Sequence, residues 1–398
     1  MKTLPDQLYV QWENALQEIL RWWQVHAPDE SRGGFAGRID NDNCVDADAP
    51  KGAVLHARIL WTFAAAARRF GDASFFETAA LAWNYLHDHF IDREQGGVFW
   101  SLRASGEVLD TKKQVYAQAF AIYAFAEYHL ATGNAAALKE AIDLFNLLEA
   151  HSYDSTQGGY LEAQDRYWQP LPDLRLSEKD ANEPKSMNTH LHVLEAYANL
   201  FRAWPKPHLR ERITELLELF SRKIINRSNG HLHLFFGMDW KVQGQTISYG
   251  HDIEAAWLLL EAAEVLGDQV WIDTMQRNCL QMAQAAAEGL DADGGLWHEY
   301  DPARGHLLRE KHWWPQAEAM VGFYAAWEQD QQAHWLEKLQ ASWAFIETYL
   351  LDRRHGEWYW GVDGQHRVLA GEDKAGFWKC PYHNGRALLE LLKRKKYP

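Results

Sequence analysis

The sequence predicts an all-α fold, an (α/α)6 barrel of twelve helices with short β-hairpins at one mouth. Two observations lead to this prediction: a glycine-containing motif recurs six times, and each interval between motifs holds two helical segments. A third is that the N-terminal helical segment lacks a neighbour unless the C-terminal one closes the ring.

The recurring motif begins with Asp or Asn, passes through a polar turn to glycine, and ends in an alternating apolar or aromatic run. Such a pattern is typical of a turn that leads into a short strand or hairpin. The motifs start at Asp29, Asp92, Asp154, Asn226, Asp291 and Asp352 and define repeats one to six. Their key glycines are taken as Gly34, Gly97, Gly159, Gly230, Gly295 and Gly356.

Between successive motifs the apolar residues recur with a helical period in two segments. The first segment of each pair is rich in alanine and is predicted to be an inner helix, whereas the second carries a charged stripe and is predicted to be outer. Segments 6–26 and 381–395 are expected to pair with each other. The other predicted pairs are 57–70 with 74–90, 116–133 with 136–152, 187–204 with 207–225, 250–266 with 269–289, and 314–329 with 333–350.

The composition favours one globular domain spanning residues 1–398. Apolar residues make up 47% and charged residues 24%, which suits a large core, and no linker composition divides the chain. The net charge of −15 argues against nucleic acid or an anionic membrane as a partner. The one dense basic run, 393–396, is expected to be a solvated tail.

Three cysteines without framework spacing suit a reducing compartment, and the sequence shows neither a signal peptide nor a membrane span. We therefore expect a cytoplasmic protein, monomeric or weakly dimeric.

Polar and aromatic side chains gather at the starts of the predicted inner helices. Since all these helices begin just after a hairpin, their starts meet at one mouth and are expected to line one cavity. The residues concerned are His56, Arg58, Tyr116, Gln118, Asn188, His192, His251, Glu254, Trp314, Glu318, Trp378 and His383.

Helical spacing refines this site. Asn188 and His192 are four residues apart and share a face, and His251 and Glu254 are three apart and near enough to touch, as are His192 and Glu195. A carboxylate behind an imidazole orients the ring and raises its basicity, as a general base requires. The alternative for any single pair is a satisfied polar group of the core.

No catalytic metal is expected. His190 and His192 are two apart on a helix and diverge by about 200°, so they do not face one ion. His231 and His233 are interpreted as surface or packing residues of a hairpin. The sequence has no zinc-protease motif, phosphate-binding glycine loop or nucleophile elbow.

Four blocks of sequence are distinctive: EPKSMNTHLHVLEAYANL (183–200), SYGHDIEAAWLL (248–259), KHWWPQAEAMVGF (311–323) and DKAGFWKCPYHNGRA (373–387). In this order they resemble the cellobiose 2-epimerases of the N-acylglucosamine 2-epimerase superfamily. The resemblance covers essentially the whole chain. It implies an (α/α)6 barrel that needs no metal and no organic cofactor.

The resemblance also implies roles for individual residues. His251 and His383 match the two catalytic histidines of the family, with Glu254 in support of His251. His192, which matches a substrate-binding histidine of the family, is counted with these catalytic residues. The residues expected to bind substrate are Arg58, Tyr116, Asp180, Asn188, Trp314, Glu318 and Trp378.

The reaction that these residues imply is epimerisation at C2 of the reducing-end glucose unit of a β-1,4-linked disaccharide, cellobiose to glucosyl-mannose and lactose to epilactose. Ring opening exposes an aldehyde, one imidazole removes the C2 proton, and a second returns a proton to the opposite face of a cis-enediolate. One imidazole is expected to be neutral and the other protonated near pH 7. Arg58 and Asn188 would stabilise the oxyanion, and the two tryptophans would stack on sugar rings.

Three alternatives stay open. A mannose 2-epimerase or an aldose–ketose isomerase acting on monosaccharides would use the same two histidines. An (α/α)6 glycoside hydrolase would need two opposed carboxylates, for which Glu254, Glu299 and Glu318 are available. A non-catalytic sugar-binding scaffold would need only the tryptophan walls.

Overall fold

The computed structural model describes residues 4–395, so Lys396, the end of the basic run, lies outside the described residues. Within this range the chain forms the twelve predicted helices, with small shifts at their ends, and none is long and apolar enough to cross a membrane. The helices are α1 (Asp6–His26), α2 (Ala53–Phe70), α3 (Ala73–Tyr85), α4 (Val115–Thr132), α5 (Ala135–His151), α6 (Met187–Ala203), α7 (Pro207–Leu219), α8 (Tyr249–Leu266), α9 (Gln269–Ala286), α10 (Trp313–Asp330), α11 (Ala333–Phe345) and α12 (Tyr382–Lys393).

The even-numbered helices form an inner ring. Each contacts the next even-numbered helix, and α12 contacts α2, so the ring is closed. Each odd-numbered helix packs outside an inner partner, with α1 against α12. The two ends of the described chain therefore pair as the sequence predicts.

The inner helices are buried on nearly all sides because neighbouring elements cover almost every face. In α4 each residue from Val115 to Tyr128 is buried. Helices α8 and α10 approach so closely that a Cβ on Gly322 would lie 2.5 Å from the Ile253 side chain. Glycine is therefore required at this crossing.

Three outer helices end in a single wide turn of π-helix, at Leu86–Phe90, Phe220–Ile224 and Ile346–Leu350. Helix α9 ends instead in a 3₁₀ turn, Ala287–Gly289. These turns carry the chain from the outer helix into the next hairpin, and they account for the ends predicted for the outer segments.

Thirteen short strands lie among the described residues: β1 (Lys51–Gly52), β2 (Ser101–Leu102), β3 (Val108–Asp110), β4 (Lys113–Gln114), β5 (Ala163–Gln164), β6 (Lys185–Ser186), β7 (Phe235–Phe236), β8 (Val242–Gln243), β9 (Ile247–Ser248), β10 (Glu299–Asp301), β11 (His306–Leu308), β12 (Lys311–His312) and β13 (Gly361–Val362). All pairs are antiparallel, in the orders β1-β2-β3, β4-β5, β6-β7-β8, β9-β10-β11 and β12-β13. The strand before an inner helix thus pairs with the hairpin of the following repeat. This pairing joins successive repeats at the mouth of the barrel.

The structure corrects the register of two repeats. In every repeat, the amide of one glycine donates to the carbonyl of the residue that opens the motif. Gly230 and Gly356 make this bond, and they are therefore equivalent to Gly33 rather than to Gly34. His231 and Glu357 stand where the other repeats have a second glycine. The sequence-based alignment is wrong here because a single glycine fits either position of a Gly-Gly pair.

Buried lysines hold four hairpins to the barrel. Each lysine lies two residues before an inner helix, is at most 1% exposed, and reaches the aspartate that opens the motif. Such pairs fix geometry, since the buried lysine charge would be costly without its carboxylate, whereas the aspartate side chains range from 1% to 32% exposed. The pairs are Lys51–Asp29, Lys113–Asp92, Lys185–Asp154 and Lys311–Asp291, with N–O distances of 2.9, 3.0, 2.7 and 2.7 Å.

Candidate active site

Polar residues at the fourth position of the inner helices anchor hairpins. Hairpin backbone amides donate to His56 of α2, Gln118 of α4 and His190 of α6, over 3.2, 2.7 and 2.8 Å. The prediction that His56 and Gln118 face the cavity is therefore wrong. Both lie two residues before an inward position, and two residues turn a helix by about 200°.

The sixth residues of the same helices are buried and mostly polar, and they make up the centre of the barrel. Helix α12 begins one residue later in this alignment, so its fifth residue is the equivalent one. This ring consists of Arg58, Phe120, His192, Glu254, Glu318 and Arg386.

Arg386 lies in the middle of this centre and bonds three of its carboxylates. This residue was not identified from the sequence. Its Nη2 donates to Glu254 over 2.7 Å and to Glu318 over 2.6 Å, and its Nη1 donates to Glu195. The signal that would have found it is its alignment with Arg58 and Glu318 in the repeat.

The three carboxylates around Arg386 differ in acidity. Burial alone would raise the pKa of Glu195, but the charge of Arg386 and the bond to His192 lower that pKa to about 2. Burial, and then the charge of Glu318, raise the pKa of Glu254 to about 8. Burial likewise raises the pKa of Glu318. The Glu254–Glu318 pair therefore holds a proton at neutral pH.

Glu254, Glu318 and His383 offer ligand atoms within 4.8 Å of one another, a spacing that suits a metal ion. Arg386, however, donates to both carboxylates and already supplies the positive charge that they need. The donor set therefore fits a guanidinium partner.

His383 rests on this carboxylate pair. Its Nδ1 lies 2.7 Å from Glu318 and 3.8 Å from Glu254. Burial, followed by the charges of Arg58 and Arg386, lowers the pKa of His383 well below its usual value.

His251 is oriented differently from the prediction. Its Nδ1 bonds the Ser248 hydroxyl over 2.7 Å, whereas Glu254 bonds Arg386, so the expected His251–Glu254 contact is wrong. Side chains in a helix lean toward its N-terminus, which turns His251 to Ser248 just before α8. Burial lowers the pKa of His251 to about 3. Burial thus favours the neutral form of both candidate catalytic imidazoles.

Trp314 brings the two histidines together. Its indole ring lies 4.8 Å from the ring of His251 and 5.6 Å from that of His383, between centroids. A Cβ at Gly250 would lie 2.5 Å from the same indole, so glycine is needed there for Trp314 to pack on α8.

Arg58, on α2, forms a second part of the site together with Tyr116 and Trp378. It donates to the Tyr116 hydroxyl over 2.7 Å and to the Trp378 carbonyl over 3.4 Å. Among the described residues, no carboxylate forms an ion pair with this buried guanidinium, and its Nε has no partner. Its charge is therefore available to an anionic group of a ligand.

His192 connects this part of the site to the centre. Its ring lies 5.0 Å from that of Tyr116, and its Nδ1 lies 2.8 Å from Glu195, as the spacing predicted. Contacts thus join Arg58, Tyr116, His192, Glu254, Glu318, His383, Trp314, His251 and Trp378 into one continuous group.

A cavity opens beside this group and is lined by His251, Asn188 and Asp180, together with side chains of the hairpins after α7 and α9. Within the described part of the chain, the buried Oδ1 of Asn188 has no hydrogen-bond partner. Asp180 lies in the loop between β5 and β6, where it accepts hydrogen bonds from Ser177.

The chain is similar in sequence and fold to carbohydrate 2-epimerases. A model of the N-acylglucosamine 2-epimerase (GlcNAc 2-epimerase) family matches residues 33–387. Cellobiose 2-epimerase from Bacteroides fragilis is 48% identical over 374 residues, which are 94% of this chain and 95% of that protein.

Two solved structures are also similar. Cellobiose 2-epimerase from Bacillus thermoamylovorans superposes with a TM-score of 0.93 at 35% identity, covering 98% of this chain and 100% of that one. The enzyme of the same name from Spirochaeta thermophila gives 0.90 at 40% identity, covering 98% and 96%. The chain therefore belongs to the N-acylglucosamine 2-epimerase family.

Proposed function

We propose that this protein is a sugar 2-epimerase that interconverts glucose and mannose units at the reducing end of β-1,4-linked disaccharides such as cellobiose and lactose. The observation that carries the proposal is the pair of imidazoles, His251 from α8 and His383 from α12, against one indole. The shared name of the similar proteins, cellobiose 2-epimerase, supports the substrate class.

His251 acts as the base once the sugar ring has opened. Its Nδ1 is engaged by Ser248, which leaves Nε2 to take the C2 proton. The low pKa keeps this nitrogen unprotonated across the neutral range. The electron pair of the C2–H bond moves into the C1–C2 bond, and negative charge develops on O1.

Arg58 and Asn188 stabilise the negative charge that develops on O1. Arg58 carries a buried positive charge that pairs with no carboxylate of residues 4–395, and the Asn188 amide lies in the cavity wall. Donors held ready in a water-poor site stabilise a developing oxyanion by about 3 kcal/mol each. The indoles of Trp314 and Trp378, both partly exposed, offer stacking faces to the sugar.

His383 returns the proton to the opposite face of C2. Its Nε2 gives up a proton to carbon while its Nδ1 takes one from the Glu254–Glu318 pair, which holds a proton at neutral pH. This relay allows an imidazole with a lowered pKa to act as an acid. The reverse reaction uses the same groups in the opposite order.

Product analysis tests the proposal. The protein is incubated with cellobiose, lactose, glucose and mannose, and the sugars are separated. We expect glucosyl-mannose and epilactose from the disaccharides. Ketose as the main product would identify an aldose–ketose isomerase, free glucose from cellobiose a hydrolase, and unchanged sugars would contradict an enzymatic function on these substrates.

We further propose that residues 1–398 work as a single domain, as a monomer or weak dimer, in a reducing compartment such as the cytoplasm. The closed inner ring supports one domain. All three cysteines are unpaired, Cys44 exposed and Cys279 and Cys380 buried, which supports a reducing compartment. Sedimentation at several protein concentrations tests the oligomeric state.

A further inference from the structure

The fourth repeat differs from repeats one, two, three and five at four positions around the start of α8, and the sixth repeat shares one of these differences, since Glu357 also replaces the second glycine. Ile247 stands where the other repeats have a buried lysine, and Asn226 where they have aspartate. His231 takes the place of the second glycine, and Asp252 takes the fourth helical position, which carries no carboxylate elsewhere. The lysine–aspartate pair of this hairpin is therefore absent, and an imidazole and a carboxylate have been gained.

The two gained side chains are bonded to each other. The Nδ1 of His231 lies 2.7 Å from one Asp252 oxygen, and the Leu232 amide donates to the other oxygen over 2.8 Å. His231 and Asp252 are 3% and 1% exposed. Asp252 thus accepts a hydrogen bond from a hairpin amide, as the fourth helical residue does in other repeats. Its contact with His231 is a second attachment to the hairpin.

The replacement of glycine by His231 and the replacement of the longer anchor side chain by Asp252 are also sterically compatible. In the third repeat, a Cβ at Gly159 would lie 2.5 Å from the imidazole of His190, so no side chain fits beside that anchor. Aspartate is shorter than histidine or glutamine and leaves room for His231. The pair therefore replaces a glycine and a long anchor together.

Two carboxylates, those of Asp252 and Glu288, stabilise the imidazole of His231. His231 faces Asp252 and the Tyr249 ring of α8, and Glu288 lies 3.5 Å from its Nε2 in the turn after α9. Burial alone would lower the pKa of His231, but the bond to Asp252 and the charge of Glu288 outweigh it and raise that pKa. The protonated form of His231 is favoured, while burial raises the pKa of Asp252, so the pair is held by the 2.7 Å contact itself.

We propose that His231 and Asp252 are a positioning pair, which replaces the lysine–aspartate pair found in four other hairpins and fixes the start of α8 so that His251 is held in place. Asp252 follows His251 directly and ties α8 to the hairpin outside the ring. His251 is tied to Ser248 on the cavity side. The first turn of α8 is thus held from two sides. This inference rests on the proposed role of His251 as the base.

The first test is His231→Gly, which gives the Gly-Gly pair of the other repeats and leaves Asp252 with the Leu232 amide alone. We expect kcat for cellobiose to fall by about tenfold or more, because small displacements of a reacting group are costly. KM should stay within about twofold, since no cavity residue is changed. His233→Gln, on the same hairpin but without an acidic partner, is the control and should keep the wild-type kcat.

The second test rebuilds the hairpin on the pattern of repeat two. Asp252→Gln, Asn226→Asp and Ile247→Lys are added to His231→Gly. We expect kcat to return to within about twofold of the wild type. The proposal is overturned if His231→Gly keeps the wild-type kcat, or if the rebuilt protein is folded and remains as slow as His231→Gly.

Hydrogen exchange separates this inference from the proposed function. Amides in the first turn of α8 should exchange faster in His231→Gly and return to wild-type rates in the rebuilt protein, whatever the reaction catalysed. Unchanged exchange rates in His231→Gly would refute the positioning role. Absence of epimerase activity in the wild type would refute the proposed function alone.

Discussion

At the scale of single residues, His251 and His383 carry the proposed chemistry. Replacing either by alanine removes a proton-transfer group, and we expect kcat to fall by about 10² to 10⁴. Far-ultraviolet circular dichroism should match the wild type, because alanine favours the helical backbone at both positions. Steady-state assays of cellobiose epimerisation check this expectation.

The matched control for these variants is His56→Gln. His56 is buried and accepts a hydrogen bond from a hairpin amide. In other repeats, glutamine accepts the equivalent bond at Gln118 and Gln316. This variant should keep its activity. Substantial turnover in His251→Ala or His383→Ala would rule out the two-imidazole scheme.

Arg386 offers a second prediction at this scale. Arg386→Met leaves Glu195, Glu254 and Glu318 without their shared cation, and stranding buried charges is expected to cost about 3–5 kcal/mol of unfolding free energy. Urea unfolding at pH 7 measures the loss. Lys139→Met, which breaks an exposed pair with Asp143, is the control and should cost less than about 1 kcal/mol. A loss as small as the control's in Arg386→Met would contradict the account of the centre.

Sequence reasoning found most of the residues that the structure brings together, since helical spacing and resemblance both locate helix starts. It was wrong where the contact depends on the direction in which a side chain points. His251 and Glu254 have the spacing of a contact, yet Ser248 and Arg386 attract them in different directions. A one-dimensional pattern cannot rank partners that lie on other helices.

At the scale of elements, the hairpin anchors make a testable unit. Lys185→Ile leaves Asp154, whose side chain is 8% exposed, without its cation, and we expect a loss of about 3 kcal/mol in unfolding free energy. The double variant with Asp154→Asn has the isoleucine and asparagine that the fourth repeat carries naturally. It should recover at least about 1 kcal/mol of that loss, as measured by urea unfolding. A double variant no more stable than Lys185→Ile would show that the pair is not coupled.

The helices themselves were predictable because their apolar periodicity is strong and each is bounded by turn residues. The π-helical ends of α3, α7 and α11 were not, since they depend on how the chain enters the next hairpin. The glycine register in repeats four and six was also missed, because His231 and Glu357 break the Gly-Gly pattern that marks the turn.

At the scale of the whole molecule, the buried charges make stability depend on pH. Glu254 is an acid whose pKa is raised in the folded protein, to about 8, so the folded state binds a proton that the unfolded chain releases near pH 4.3. Its contribution to stability therefore falls as pH rises between these values, by about 1.4 kcal/mol per pH unit.

Glu254→Gln should remove this part of the slope, which urea unfolding between pH 5 and pH 8 will detect as a flatter profile. Glu13→Gln, on the exposed face of α1, is the control and should follow the wild type. Parallel profiles for Glu254→Gln and the wild type would show that Glu254 does not hold the proton.

Ring closure follows from the six repeats and the two unpaired terminal segments, and it was therefore predictable. The charge network at the barrel axis was not. It needs one residue from each of several helices, and only the closed ring brings Glu195, Glu254, Glu318 and Arg386 within bonding distance.

The central claim is that two imidazoles exchange the C2 proton of the sugar with solvent. The most direct measurement is epimerisation of cellobiose in deuterated water, followed by proton and deuterium NMR of the products at C2. We expect deuterium at C2 of the newly formed mannose unit, and loss of this labelling in both His251→Ala and His383→Ala. A mannose product that retains its original C2 hydrogen throughout would contradict the claim.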